Sequence, residues 1–309
     1  MVFFLYTKIF NTFELSLKIF SSTNIKLLEQ TQSYLNIKNK NVNISRFPDG
    51  EMMVKLEEEV SNETVVLIQS LSAPTSESII QTLFIIELIR QACAKRIVLI
   101  LTYLCYARQD RRICKLSLVT SSIVCKLLNN IDSVYVVEPH CPYLLTYFNV
   151  PSFEIDVSPL ICDHISRNYD LDNVVLIALD HGAQKRTEKI ASSLGVVQLN
   201  AIKIRSTDGL KTMLYVNKSL VGKIGIIIDD IIDTGNSARQ IANQLANDHK
   251  LSKVIMYCCH AVMSKGQSSQ IDLVFSNSIP GRTAKLDISY LLSRIIKYKL
   301  MNKTGHGLF

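Results

Sequence analysis

The chain has no tryptophan, and only 11 glycines and 7 prolines among its 309 residues. That scarcity excludes a collagen-like or linker-dominated protein. Long hydrophobic runs are missing too. The longest, IVLILTYLCYA at 97–107, falls well short of the roughly 20 residues needed to span a bilayer. The amino-terminal VFFLY is shorter still and lacks a basic leading segment and a small-residue cleavage site, so it does not read as a secretory signal. The eight cysteines form no CxxC pair and no zinc-like spacing, and Cys258 and Cys259 sit side by side in the apolar run KVIMYCC. This predicts buried, reduced thiols in a cytoplasmic protein rather than a disulfide framework. Charge is nearly balanced: 34 basic against 27 acidic residues give +7, with no basic run of five or more. Neither a nucleic-acid nor a membrane partner is implied, and small polyanions such as nucleotides and sugar phosphates suit that balance.

What is present is a globular composition, 48% hydrophobic and 20% charged, over a length that holds about two domains. Short runs rich in Val and Ile recur at 65–69, 96–104, 133–137, 173–179, 197–204, 223–229, 253–258 and 273–276, with an earlier strand at 17–20. They lack inside–outside alternation, as expected of strands buried on both faces of a parallel sheet. Helical spacing appears between them at 76–93, 183–194, 237–245 and 287–300, and Gly195 is a stop signal for the second of these. The alternation predicts an open α/β fold with ligands at the carboxyl ends of the strands. A boundary falls near 157–159, with one α/β unit before it and a loosely similar one after it.

The strongest chemical signal is GIIIDDIIDTGNS at 225–237. An apolar strand delivers Asp229 and Asp230, Asp233 follows at the turn, and Thr234, Gly235, Asn236 and Ser237 open a helix. A turn of small residues at a helix start presents backbone N–H groups to an anion. Thr234 and Ser237 add hydroxyls, while the acids suit ribose hydroxyls or a metal held through water. The alternative is an ordinary helix cap by Asp233 or Thr234. Against it, three carboxylates crowded at one strand end repel one another unless a cation or hydroxyls occupy the site.

DDIIDTGNS resembles the phosphoribosyl-phosphate loop of the phosphoribosyltransferase fold. Two further stretches, SRFPDGE at 45–51 and YARQDRR at 106–112, narrow the resemblance to the ribose-phosphate pyrophosphokinase family, and the similarity runs in order from about residue 17 to 309. Plain phosphoribosyltransferases have neither stretch and only one such domain. The resemblance implies two tandem phosphoribosyltransferase-like domains, each a mostly parallel sheet flanked by helices. Residues 15–157 would form the ATP side and 158–309 the ribose 5-phosphate side, with the last helix packing back on the first domain.

The same resemblance implies site roles. Phe47, Asp49 and Glu51 would serve ATP, as would Arg108, Gln109, Asp110 and His140. Asp229, Asp230, Asp233, Thr234, Gly235, Asn236 and Ser237 would hold ribose 5-phosphate together with Arg205. Lys203 and Arg205 would stabilise charge in the transition state, and Mg²⁺ would sit near His140 and Asp180. Each stretch also has a plainer reading: a surface turn for FPDGE, a solvated charge cluster for 108–111, exposed basic residues at a strand end for Lys203 and Arg205. A homo-oligomer, dimer or hexamer, with ATP sites shared between neighbours is implied as well.

Several positions depart from the family pattern. Glu138 stands for Asp in Asp-x-His, and Asp180-His181-Gly182-Ala183 replaces Asp-x-Gly-Gly. Asn236 and Ser237 replace Gly and Thr. The segment after YARQDRR lacks the family's Pro and Lys, and the terminal NKTGHGLF has glycines where serines usually bind a regulatory phosphate. Residues 1–14 stand outside the first domain. The competing readings are a catalytically weak regulatory homologue and a phosphoribosyltransferase.

Overall fold

Strands that are apolar at every position need cover on both faces. In β4 (Thr64–Ser70), Val65 and Leu67 enter one hydrophobic cluster and Val66 and Ile68 another. The same parity divides β11 (Ile224–Ile232), where Ile226 and Ile228 lie on one side and Ile227 on the other. The computed structural model describes residues 17–206, 209–214, 219–264 and 271–301, without the side chains of 202–213.

Two parallel sheets result. The first has order β1-β4-β5-β6-β7 and adds β1 (Leu17–Phe20), β5 (Arg96–Tyr103), β6 (Ser133–Val137) and β7 (Ser152–Ile155), every pair parallel. The second has order β10-β9-β8-β11-β12-β13. It adds β8 (Val174–Ala178), β9 (Val197–Ser206), β10 (Gly209–Leu214), β12 (Lys253–Ala261) and β13 (Asp272–Phe275), and only the edge strand β10 is antiparallel. The expected α/β fold with mostly parallel sheets is borne out. Sequence reading ended β9 at 204 and did not find β10, because KIRSTDGLKTML mixes charged and apolar residues too evenly to read as a buried run.

FPDGE, read as a turn, is the tip of an antiparallel hairpin between β2 (Val42–Arg46) and β3 (Met52–Leu56). The Phe47 amide donates to the Glu51 carbonyl at 2.9 Å, and Gly50 takes φ +94°, a conformation that favours glycine.

Three clusters form the core, and the middle one is shared by both halves of the chain. On the outer face of the first sheet lie α2 (Thr75–Gln91) and α3 (Thr120–Leu127). On the outer face of the second lies α6 (Asn236–Asn247). Between the sheets pack α1 (Ile25–Leu35), α4 (Ser158–Asn168), α5 (His181–Leu194) and α7 (Ser289–Ile296). There Ile19, Val66, Ile100 and Val137 of the first half join Ile161, Leu176, Ile228 and Tyr257 of the second. Gly195 ends α5 in the left-handed conformation, as its sequence position predicts. The helix expected over 287–300 is shorter, with its last turn widened into a π-helical turn at Lys297–Met301.

The last helix packs on the first half. Tyr290 meets Tyr34 edge-to-face at 5.4 Å, and Gln30 donates to Asp287 at 3.0 Å. Beside the cleft, His260 of β12 bridges the halves through a bond from its Nε2 to the Glu138 carbonyl at 3.0 Å. The eight cysteines are all unpaired; Cys105, Cys125, Cys258 and Cys259 are buried as expected, but Cys93 and Cys114 are exposed. Among the described residues no helix is long and apolar enough to cross a membrane.

Candidate active site

The segments that leave the carboxyl ends of β5, β6, β8 and β11 meet around one cleft of about 980 Å³. Open parallel sheets bind ligands at this edge. Arg108, Gln109 and Asp110 arrive after β5, His140 after β6, and Asp180 after β8; Asp229, Asp230, Asp233, Thr234, Gly235, Asn236 and Ser237 arrive from β11 and its turn. The two halves each contribute a wall.

On the β11 side, the plain capping alternative is not what forms. The N-cap of α6 is Gly235, at φ +68°, and no side chain caps the helix. Asp233 instead accepts from Ser264 Oγ at 2.6 Å and from Arg108 Nη2 at 3.1 Å. The Ser264 hydroxyl and the Arg108 guanidinium both hold the Asp233 carboxyl below its usual range. The first turn of α6 therefore keeps backbone donors without a side-chain acceptor at the cap, with Thr234 and Ser237 beside it, an arrangement that suits an anion.

Asp229 and Asp230 are neighbours with opposite environments. Burial pushes the Asp229 carboxyl up, and the negative charge of Asp230 adds to that. Burial would raise Asp230 too, but the bond from His140 and the nearby Arg186 guanidinium outweigh it and hold Asp230 low. Its Oδ2 lies 2.7 Å from His140 Nδ1 and its Oδ1 lies 3.7 Å from Arg186. The same bond to Asp230 raises His140, against the opposing effect of burial. Asp230 lies in the cleft wall at 4% exposure, with its oxygens turned to His140 and Arg186.

Glu138 does not turn into the cleft. Its Oε1 pairs with Arg186 and its Oε2 accepts the Val157 amide at 3.1 Å. The longer side chain in place of Asp reaches Arg186 of α5. Arg186 itself was missed. A surplus of acids at strand ends signals a buried cation, and HGAQKR, the start of α5, is where it stands.

The 108–111 segment is pinned from behind. Gln109 accepts from Thr120 Oγ1 at 2.6 Å, and Tyr147 Oη donates to the Asp110 carbonyl at 3.1 Å. The Asp110 carboxylate accepts from Tyr143 Oη, and Cys141 Sγ lies 3.4 Å away. Burial would raise Asp110, yet these bonds keep it below the usual carboxylate range. Asp110 thus shapes the segment, while Arg108 bridges the cleft to Asp233.

Phe47, Asp49 and Glu51 are not among the residues lining this cleft; they project, exposed, from the tip of the β2–β3 hairpin. Lys203 and Arg205 stand on β9 opposite Thr212 and Leu210 of β10, and their side chains lie outside the described residues. So do residues 1–14 and the terminal NKTGHGLF.

The chemistry of the donors fits Mg²⁺. Asp180 and Asp229 offer oxygen, and His140 keeps Nε2 beyond its bond to Asp230. Asp180 also caps α5, accepting from the Ala183 amide at 3.1 Å. Among the described residues no group of three or more His, Cys, Asp or Glu is gathered as a cage.

Two parallel sheets facing a cleft of acids, arginines and an uncapped helix start define an α/β protein that handles phosphorylated ligands. Two family models match the chain: the N-terminal domain of ribose phosphate pyrophosphokinase over residues 17–131, and the phosphoribosyl transferase domain over residues 145–288. The ribose-phosphate pyrophosphokinase of Bacillus caldolyticus is 31% identical over 273 residues, covering 85% of this chain and 86% of the relative. That of Bacillus cereus is 32% identical with the same coverage. The crystal structure of phosphoribosylpyrophosphate synthetase from Mycobacterium smegmatis aligns with TM-score 0.81 and 26% identity, over 91% of this chain and 98% of that one. The chain belongs to the ribose-phosphate pyrophosphokinase family. The resemblance drawn from DDIIDTGNS, SRFPDGE and YARQDRR, and with it the reading of the chain as a transferase, is borne out.

Proposed function

We propose that the cleft transfers the β,γ-diphosphoryl group of Mg-ATP to the C1 hydroxyl of ribose 5-phosphate, giving phosphoribosyl pyrophosphate for nucleotide biosynthesis. The observation that carries this reading is the meeting, in one cleft, of the α6 turn with the Arg108 segment from the other half of the chain. The turn at 233–237 takes the 5-phosphate on the amides of α6 and the hydroxyls of Thr234 and Ser237, and Asp229 takes sugar hydroxyls. The C1 hydroxyl oxygen then attacks the β-phosphorus in line, the bond from that phosphorus to the α-phosphate oxygen breaks, AMP departs, and the hydroxyl proton passes to solvent. No covalent enzyme intermediate is needed, so positioning and charge neutralisation do the catalysis. Arg108 moves from Asp233 to phosphate oxygens, a contact its forked guanidinium suits. Lys203 and Arg205 add cations against the charge of the transition state. Asp180 and His140 would hold Mg²⁺, which supplies charge neutralisation on the phosphate oxygens.

Phe47, Asp49 and Glu51 fit this scheme as parts of an ATP site completed between copies of the chain, since their hairpin stands clear of the cleft on its own molecule. The end of β7 at Ile155 and the start of α4 at Ser158 support a divide between the ATP side and the sugar side at 157/158. The protein acts in the cytoplasm as a homo-oligomer, without nucleic acid or membrane as partner. The test is AMP formation from ATP and Mg²⁺ with and without ribose 5-phosphate. Sugar-dependent AMP supports the reading; sugar binding without AMP refutes it in favour of a non-catalytic relative.

A further inference from the structure

We propose that Arg186 is a positioning residue of this cleft: it bonds Glu138 of one half, stands at ion-pair distance from Asp230 of the other, and so holds the carboxylate that orients the His140 ring. The inference rests on the functional reading above and assigns a role to a residue outside it.

The geometry leaves little freedom. The Arg186 side chain is 13% exposed, and those of Glu138 and Asp230 are 3% and 5% exposed. Glu138 cannot swing away without giving up the Val157 amide, which it accepts at 3.1 Å. Asp230 divides its oxygens: Oδ1 faces Arg186 at 3.7 Å and Oδ2 faces His140 Nδ1 at 2.7 Å. With Nδ1 committed, Nε2 is the ring nitrogen left for the cleft. Arg186 also carries the join between the halves, since Glu138 follows β6 and Asp230 lies in β11. A guanidinium suits this task because its planar fork serves two carboxylates in fixed directions, which an ammonium does not.

A simpler role would be to neutralise two buried acids, and the two roles separate experimentally. Removing one partner of a buried pair leaves an uncompensated charge, whereas removing both is often tolerated. Arg186→Gln alone is therefore expected to lower the melting temperature. The double variant Glu138→Gln/Arg186→Gln should recover it to within a few degrees, because the amide oxygen introduced by Glu138→Gln still accepts the Val157 amide. If Arg186 positions His140 through Asp230, the double variant stays about 10²-fold down in kcat, the scale of a small misplacement of reacting groups, with the KM for ribose 5-phosphate changed less than about 3-fold. Arg186→Lys, which keeps the charge but not the fork, should remain at least about 10-fold down. The second readout needs no turnover: in the substrate-free protein, the ¹⁵N signature of His140 Nδ1 bonded to Asp230 is expected in wild type and lost in the double variant. Recovery of kcat together with melting temperature, or an unchanged Nδ1 signature, would overturn the proposal. A wild type without sugar-dependent AMP formation would instead sink the functional reading, and the Nδ1 measurement would still decide the role of Arg186.

Discussion

His260 makes the fold sensitive to mild acid in a way that can be worked through. Its ring is 2% exposed, meets Tyr103 edge-to-face at 5.1 Å, and is bonded at both nitrogens, Nε2 to the Glu138 carbonyl and Nδ1 to Ser278 Oγ at 2.9 Å. A carbonyl only accepts, so Nε2 carries the proton and the neutral ring satisfies both bonds. Burial pulls the imidazole down to about 4. In the unfolded chain it titrates near the ordinary value of about 6.5. Below that value the unfolded state takes up a proton that the folded state refuses, so stability falls as pH drops from about 6.5 to about 4 and levels off beneath. A gap of about 2.5 pH units, at about 1.4 kcal/mol each, costs about 3 kcal/mol. For a protein of ordinary stability, about 5–15 kcal/mol, that is a large share. The assay is urea denaturation followed by circular dichroism at several pH values between 7 and 4, on wild type and His260→Gln. The glutamine can still donate to the Glu138 carbonyl but cannot titrate. The variant should start somewhat less stable at pH 7 and lose about 3 kcal/mol less on acidification. Parallel stability curves for the two proteins would refute the reasoning.

Lys203→Ala should lower turnover by about 10²-fold or more in the AMP-formation assay, as expected for loss of a charge-stabilising donor; turnover close to wild type would remove Lys203 from the mechanism. Tyr143→Phe strips a hydroxyl from the Asp110 carboxylate and loosens the Arg108 segment, so steady-state kinetics should show a several-fold higher KM for ATP with little change in the KM for ribose 5-phosphate. Gly225→Ala would place a Cβ 2.5 Å from Leu251 Cδ2 and 3.2 Å from Ile177 Cδ1 inside the second sheet's outer core. Urea titration should record a loss of about 1–3 kcal/mol, the usual cost of overpacking.

Much of this architecture is legible in the chain because its central strands are apolar throughout. Runs such as VVLIA and SVYVV have no polar face to hide, so buried parallel strands follow from the letters alone. Edge elements are harder: the β2–β3 hairpin has one face in water, and its mixed sequence, like that of β10, resembles a loop. In the cleft, DDIIDTGNS and YARQDRR were recognisable as chemistry. What each carboxylate does was not, because that depends on which cation the fold brings near. Asp230 turns to His140 and Arg186, Asp233 to Arg108 and Ser264, and Asp110 to Tyr143, although none of these partners is close in sequence. Arg186 carries no local motif, and only the shared burial of Glu138 and Asp230 gives it meaning.

The hydrophobic cluster between the sheets has a consequence for how the molecule works. Neither half owns a complete interior: a cut after Val157 would strip Ile161, Ile165, Leu292 and Ile296 of the neighbours they share with Ile19, Val66 and Val137. The halves therefore cannot swing apart like jaws to admit reactants without tearing apolar surface open to water. The segments that follow β5 and β11 line the cleft above this shared floor. Two halves fused in this way give up independent motion and gain a gap of set width between the β5 and β11 segments.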